Sequence, residues 1–208
     1  MARALASFLL GIVFSAATSA AVIVEQTGST SAGTAPFYGQ SVMTPAGGPW
    51  TDISFNFFDV PDRNAFAAGN LFILTSEYSG TPQNLGSLTP GYVAESTGVS
   101  GGQWLFDSSV VLLPSTLYYF MMGDDAAAAA TLFGRFDGTD PIGLYGAFSA
   151  TSAYTHNSND FDYSLHGTQV PEPATVALIG LGLGLVAIAR RRRGTPNLPG
   201  GAFRVTRG

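Results

Sequence analysis

The sequence predicts an all-β protein: a single antiparallel β-sandwich or jelly roll at residues 22–169, between two apolar terminal segments. In residues 52–57 and 161–166 apolar and polar side chains alternate, which is typical of strands with one buried face. Elsewhere, short aromatic and aliphatic runs are separated by turns rich in Gly, Pro, Asn and Asp. Since strands do not alternate with helices, these observations favour two packed antiparallel sheets.

Eight to ten short strands are predicted in this domain. Besides the two alternating runs, the candidates are residues 71–78, 92–95, 103–106, 109–113, 117–122 and 144–149. The predicted turns are residues 45–49, 79–82, 89–91, 98–102 and 137–140. The only helical candidate is residues 126–130, where five alanines follow Asp124 and Asp125, because aspartate can cap a helix N-terminus.

Residues 1–21 have the pattern of a secretory signal peptide. Arg3 supplies the positive charge, residues 4–14 the apolar core, and residues 15–21 the small side chains that suit signal peptidase. Cleavage is predicted after Ala20 or Ala21, which implies passage through the secretion machinery. A permanent N-terminal membrane helix is the alternative, but the apolar core is short for a bilayer span.

The predicted exported domain is strongly acidic. Residues 22–169 contain two arginines and thirteen acidic residues, a net charge of −11, whereas the whole chain carries −5. The chain has no cysteine, so the stability of the domain must come from packing and not from disulfides. A field of this sign repels nucleic acid and anionic lipid, and no nucleic-acid partner is predicted.

One motif raises the hypothesis of a secreted hydrolase. Residues 98–102 match the G-x-S-x-G pattern, with Ser100 as the nucleophile. That chemistry requires the serine on a tight turn between a strand and a helix, but the strand-like residues 103–106 follow here. The sequence therefore favours a glycine-rich hairpin, and the protein is predicted to have no catalytic residue and not to be an enzyme.

The last third of the domain contains the side chains that could bind a metal. His156 and His166 lack the spacing of a zinc site. Oxygen ligands for calcium could come from Asn157, Asn159, Asp160 and Asp162, or from Asp137 and Asp140. Neither stretch has the spacing of an EF-hand loop, and Asn and Asp are ordinary turn residues. No metal or cofactor is therefore predicted, with structural calcium as the alternative.

The aromatic residues support an alternative function, a carbohydrate-binding module. The rings that could stack on sugars are those of Trp50, Trp104, Tyr118, Tyr119, Tyr145 and Tyr154. Half of the side chains on the strands of a sandwich face its core, so most of these rings are expected to be buried. An exposed pair of coplanar rings would favour sugar binding.

The C-terminal segment, residues 170–193, has three parts. They are Val170, Pro171, Glu172 and Pro173; an uncharged apolar run at residues 174–189; and Arg190, Arg191, Arg192 and Arg193. A sixteen-residue helix spans about 24 Å, less than the roughly 30 Å of a bilayer core, but it can insert if its ends snorkel. The arginines hold one end in the cytoplasm, and the prolines keep the preceding chain extended.

This segment resembles the PEP-CTERM sorting signal of Gram-negative bacteria, in which a Pro-Glu-Pro motif precedes a short helix and an arginine cluster. The resemblance covers 24 of the 208 residues. It implies that an exosortase recognises Pro171, Glu172 and Pro173, that the helix is removed, and that the protein is sorted to the envelope or beyond. The polar tail at residues 194–208, predicted to be cytoplasmic, departs from the pattern. A plain membrane anchor is the alternative.

Two stretches, residues 39–48 and 112–120, resemble the choice-of-anchor surface domains, which implies a β-sandwich but no particular activity. The expected protein is a non-enzymatic cell-surface or extracellular-matrix protein, made as an inner-membrane-anchored precursor with a periplasmic domain. By resemblance to other carriers of such signals, it is expected to accompany exopolysaccharide and biofilm formation. Its expected partners are signal peptidase, exosortase, the inner membrane and exopolysaccharide.

Overall fold

Fifteen strands form in the part of the chain that the computed structural model describes, which is residues 20–34, 36–126, 131–135, 143–157 and 159–170. In chain order the strands are β1 (Ala21–Gln26), β2 (Ser31–Thr34), β3 (Phe37–Met43), β4 (Trp50–Phe58), β5 (Ala65–Phe66), β6 (Leu71–Leu74), β7 (Tyr92–Glu95), β8 (Gly98–Ser100), β9 (Gln103–Leu105), β10 (Leu117–Met122), β11 (Thr131–Arg135), β12 (Leu144–Ala147), β13 (Thr155–Asn157), β14 (Asp160–Phe161) and β15 (Tyr163–Gln169). Two short 3₁₀ turns, Pro82–Asn84 and Asp124–Ala126, lie between them.

The strands form three antiparallel sheets. The first sheet has the order β1-β15-β4-β9-β8, with β5 paired to β4. The second sheet has the order β13-β12-β3-β10-β6-β7, and a small third sheet the order β14-β11-β2. A bridge between Asp59 and Leu132 joins the small sheet to the chain that follows β4. The predicted all-β class with antiparallel sheets is confirmed.

The first and second sheets pack face to face, and aromatic side chains fill the space between them. The ring of Phe55 on β4 stacks on that of Phe120 on β10, with centroids 4.4 Å apart and planes 11° from parallel. The side chain of Trp104 on β9 is completely buried in the same core. The apolar members of the runs at residues 52–57 and 161–166 lie in this core, as predicted. The prediction that their polar members face solvent is wrong for Asn56, Asp162 and Ser164, which are buried as well.

The other face of the second sheet is covered as well. Residues 75–91 and 148–154 lie over it, and the Gln83 N–H donates a hydrogen bond to the Ala150 carbonyl at 3.1 Å. Strand β3, in the middle of this sheet, is therefore buried on both faces and lacks the alternation that would have predicted it. A second hydrophobic cluster fills this layer: Phe37, Phe72, Leu74, Met121, Tyr145, Ala147 and Tyr154.

Several sequence predictions are wrong. Residues 109–113 form no strand; only Leu112 pairs, in a two-residue bridge with Trp50, because its neighbours Val111 and Leu113 face outward. Residues 75–78 belong to the covering loop and not to β6. The strands outnumber the predicted eight to ten because several pieces of two to four residues are too short to show a period.

The predicted terminal segments lie mostly outside the described residues, which exclude 1–19 and 171–208. Within the described ranges no helix is long and apolar enough to cross a membrane. Of the predicted helix at 126–130, only Ala126 is described, and it ends a 3₁₀ turn. The compact unit of the fold ends at Val170.

The sandwich has two chemically different ends. Ala21 on β1 pairs with Gly167 on β15, so the first strand begins where the last strand finishes. We call this the exit end; it comprises residues 20–22, 43–50, 111–117 and 167–170. Strands β4 and β10 run from it to the opposite end, which we call the acidic end and which comprises residues 59–63, 95, 124–125 and 160–162.

Candidate sorting site

The last strand carries the chain to the predicted sorting motif. Gln169 at the end of β15 pairs with Trp50, the first residue of β4. One residue further, the Val170 N–H donates a hydrogen bond to the Pro49 carbonyl at 2.8 Å. Residue 171 is a proline and has no N–H with which to continue this pattern. Val170 is therefore the last residue that backbone hydrogen bonding ties to the domain within the described ranges.

The loop that receives Val170 is fixed by its own hydrogen bonds. The Thr44 hydroxyl donates to the Leu113 carbonyl at 2.7 Å, and the Ser115 N–H donates to the Pro45 carbonyl at 3.0 Å. Gly47 and Gly48 in this loop have φ angles of +112° and +67°, a region that glycine enters without strain. The loop thus binds both the segment after β9 and the end of β15.

The predicted signal-peptidase positions lie at the same end. Ala20 and Ala21 are exposed, and Ala21 is the first residue of edge strand β1. Because Ala21 pairs with Gly167, the predicted N-terminal cleavage position lies beside the C-terminal residues of strand β15. The remaining predicted site residues lie outside the described ranges: Pro171, Glu172, Pro173, Arg190, Arg191, Arg192 and Arg193.

The G-x-S-x-G match forms a hairpin, as the sequence favours. Strand β8 ends at Ser100, and Gly101 and Gly102 turn the chain directly into β9. Both glycines have positive φ, as a tight two-residue hairpin turn requires. A nucleophile elbow needs a helix after the serine, so this match supports no hydrolase chemistry.

A serine–histidine contact that the sequence analysis missed lies on β15. The Oγ atom of Ser164 is 2.8 Å from Nε2 of His166, two residues along the same strand. The i, i+2 spacing on a predicted strand was the available signal, since it places both side chains on one face. Ser164 is only 1% exposed, which keeps its hydroxyl away from a substrate. The contact therefore satisfies a buried hydroxyl.

Two of the carboxylates considered for calcium, Asp160 and Asp162, are already engaged. Asp162 is completely buried and accepts hydrogen bonds from the Ser29 N–H while it pairs with Arg63. Asp160 is 3% exposed and accepts a hydrogen bond from Gln40 at 2.7 Å. No cluster of three potential metal-ligating side chains occurs within the described ranges, which exclude Asp137 and Asp140.

The polar run at residues 155–160 is typical of a loop, but the structure places His156 on a strand. It lies on the short edge strand β13, with its ring centroid 5.0 Å from that of Tyr145. Tyr145 donates a hydrogen bond to Glu77 at 3.3 Å. Burial, followed by the negative charge of Glu77, raises the pKa of the Tyr145 hydroxyl well above its usual range. This group is therefore a neutral hydrogen-bond donor at physiological pH.

The rings named for carbohydrate stacking lie mostly inside the protein. Only Tyr119 is half-buried, and its ring meets that of Tyr145 edge-on at 71°. Such a pair offers no flat double platform to a sugar. The other five rings are buried: Trp50, Trp104, Tyr118, Tyr145 and Tyr154.

Comparison with known proteins concerns the end of the chain. No curated protein and no solved structure matches the chain. Residues 169–193 match the family model of the PEP-CTERM protein-sorting motif. The match begins at the last residue of β15 and includes the proline pair, the apolar run and the arginine cluster. This chain therefore carries a PEP-CTERM sorting motif, which marks an exported protein that has a membrane-anchored precursor and is sorted through a C-terminal signal with processing by exosortase.

Proposed function

We propose that the chain is a non-enzymatic protein of the cell surface or extracellular matrix. The observation that carries the proposal is the sorting motif, whose match begins at residue 169, where the last strand ends. No separate segment of sequence lies between the folded domain and the motif. Exosortase action near Pro171, Glu172 and Pro173 would therefore detach the whole β-domain from its apolar run.

The role of such a protein is that of a stable, soluble domain at the cell surface or in the extracellular matrix. Its net charge of −11 over residues 22–169 favours solubility outside the cell. The chain has no cysteine, so the stability of the buried aromatic core depends on no disulfide. The association with exopolysaccharide and biofilm rests on the resemblance of the sorting signal.

The first test asks whether Glu172 is needed for sorting. We expect Glu172→Ala to leave the unprocessed chain in the inner membrane of the native host, because the Pro-Glu-Pro element would lose its only charge. Glu25→Ala is the matched control, since Glu25 is an exposed glutamate on β1 outside the motif. Fractionation followed by immunoblotting would measure both. Equal export of the Glu172→Ala and Glu25→Ala chains would contradict the proposal.

The second test concerns the matrix. Deletion of the chain from its host should reduce the polysaccharide retained in biofilm, and expression of the wild-type chain should restore it. The Glu172→Ala chain should not restore it if the exported form is the active one. Unchanged polysaccharide retention after deletion would contradict the association with exopolysaccharide and leave the sorting step standing.

A further inference from the structure

The exit end presents large apolar side chains to solvent. Met43 is 43% exposed, Val111 is 42% exposed and Leu113 is 54% exposed. Hydrogen bonds hold their segments together, including one from the Thr44 N–H to the Thr116 carbonyl at 3.0 Å. Val22, near the start of β1 at the same end, is 51% exposed. Four exposed apolar side chains therefore share this end.

This end also lacks charge, although the domain as a whole is acidic. Residues 43–51, 108–123 and 163–171 contain no Asp, Glu, Lys or Arg. The acidic residues next to these segments in the sequence are Asp52 and Asp107. Apolar side chains in an uncharged surface can approach lipid without a desolvation penalty for charged groups.

The path of the chain identifies what lies next to this surface. Val170 is hydrogen-bonded at the exit end, and the apolar run begins at residue 174. An extended chain covers at most about 3.6 Å per residue, so the four steps from Val170 to Ala174 reach about 14 Å at most. Insertion of the apolar run in a bilayer therefore brings the exit end close to the lipid surface.

We propose that the exit end is a membrane-docking surface, on which Met43, Val111 and Leu113 contact the bilayer that holds the precursor. The proposal rests on the membrane-anchored precursor of the proposed function. The acidic end lies at the other end of β4, a nine-residue strand that spans roughly 30 Å. That distance exceeds the Debye length of about 8 Å at physiological ionic strength, so repulsion between the acidic end and anionic lipid is screened.

The absence of cysteine allows a direct test. The full chain contains no native thiol, so Leu113→Cys or Phe148→Cys introduces a single labelling site. Phe148 is the matched control, because it is 77% exposed and follows β12 at the end of the second sheet remote from Met43. Each chain is reconstituted into vesicles of phosphatidylethanolamine and phosphatidylglycerol, and its thiol is labelled with an environment-sensitive fluorophore. Nitroxide lipids then report contact with the bilayer.

We expect the label at position 113 to emit at shorter wavelength and to be quenched several-fold more strongly by nitroxide lipid than the label at position 148. Met43→Glu in the Leu113→Cys chain should return the emission toward that of the control, since it places a carboxylate in the surface. Equal quenching at positions 113 and 148, in chains that float with the vesicles, would contradict the docking surface. It would still agree with a membrane-anchored precursor.

Two other outcomes would also overturn the proposal. If unlabelled Leu113→Cys chains oxidise to a disulfide-linked dimer, and separately labelled chains show no quenching by nitroxide lipid, the surface belongs to a second copy. If the chains do not float with the vesicles, the anchored precursor fails, and the docking surface fails with it. Flotation and quenching are separate readouts, so the two failures are distinguishable.

Discussion

The acidic end and the exit end of the sandwich are organised by different interactions. At the acidic end, Asp162 accepts hydrogen bonds from the Ser29 N–H at 3.2 and 3.4 Å and pairs with Arg63. The guanidinium of Arg63 also donates to the Ser29 carbonyl and lies 3.9 Å from the centroid of the Phe133 ring. One buried carboxylate thus joins the segments that follow β1, β4 and β14.

At the exit end, backbone hydrogen bonds and apolar contacts hold the neighbouring segments of the chain together. Trp50 and Leu112 exchange two backbone hydrogen bonds of 2.9 Å, and Val170 donates to Pro49. None of these contacts uses a charged side chain. The comparison shows that a buried ion pair orders the loops at the acidic end, whereas uncharged groups order the loops at the exit end.

The largest expected effect of a substitution is at the acidic end. Asp162→Ala removes the partner of Arg63 and the acceptor of the Ser29 N–H, and we expect it to lower the free energy of unfolding by about 3–4 kcal/mol, since each hydrogen bond to a charged group contributes about 1.5–3 kcal/mol. Denaturant unfolding of the mature protein would measure this loss. Asp62→Ala, at an exposed acid of the same end, should change stability by less than about 0.5 kcal/mol. Equal effects of the two substitutions would contradict the central role of Asp162.

The next effect distinguishes two neighbouring leucines at the exit end. Leu112 is completely buried against Trp50, so Leu112→Ala should cost about 3 kcal/mol. Leu113→Ala should cost less than about 0.5 kcal/mol, because Leu113 is mostly exposed. The same unfolding measurement compares them. A large loss for Leu113→Ala would show that this side chain supports the fold and is not reserved for a membrane contact.

A smaller loss of stability is expected for a substitution of Gln40, a buried residue that binds Asp160 at the acidic end. Gln40 donates to Asp160 at 2.7 Å and accepts a hydrogen bond from the Phe161 N–H at 3.0 Å. Gln40→Leu leaves that buried N–H without this acceptor, and we expect a loss of about 2 kcal/mol in unfolding free energy. Gln103→Leu is the control, since Gln103 is half-buried and its bonds are longer, 3.3 and 3.4 Å. If Gln40→Leu lowered the unfolding free energy no more than Gln103→Leu does, the buried hydrogen-bond network would contribute little to stability.

The sequence alone predicts the parts of the fold that depend on local patterns. The bounds predicted for residues 92–95 and 117–122 match β7 and β10, since each is a short run between clear turns. It does not predict β3, because burial on both faces and the internal polar pair of Gln40 with Asp160 remove the alternation. Partners so far apart in the chain leave no local trace.

The same distinction holds for the candidate site. The motif at residues 169–193 is recognisable because prolines, apolar run and arginines are consecutive in the sequence. Two contacts depend on the topology of the sheets: the hydrogen bond from Val170 to Pro49 and the pairing of Ala21 with Gly167. No sequence pattern predicts them. The exit end as a surface is therefore visible only in the folded protein.

The most direct test of the whole account is the C-terminal residue of the mature protein, determined by mass spectrometry of envelope and extracellular fractions from the native host. We expect a terminus near Pro171, Glu172 and Pro173, which would mean that the β-domain leaves its apolar run behind. A mature product that still carries residues 190–193 would contradict this account, because the C-terminal segment would then be a plain anchor and the domain would work at the inner membrane.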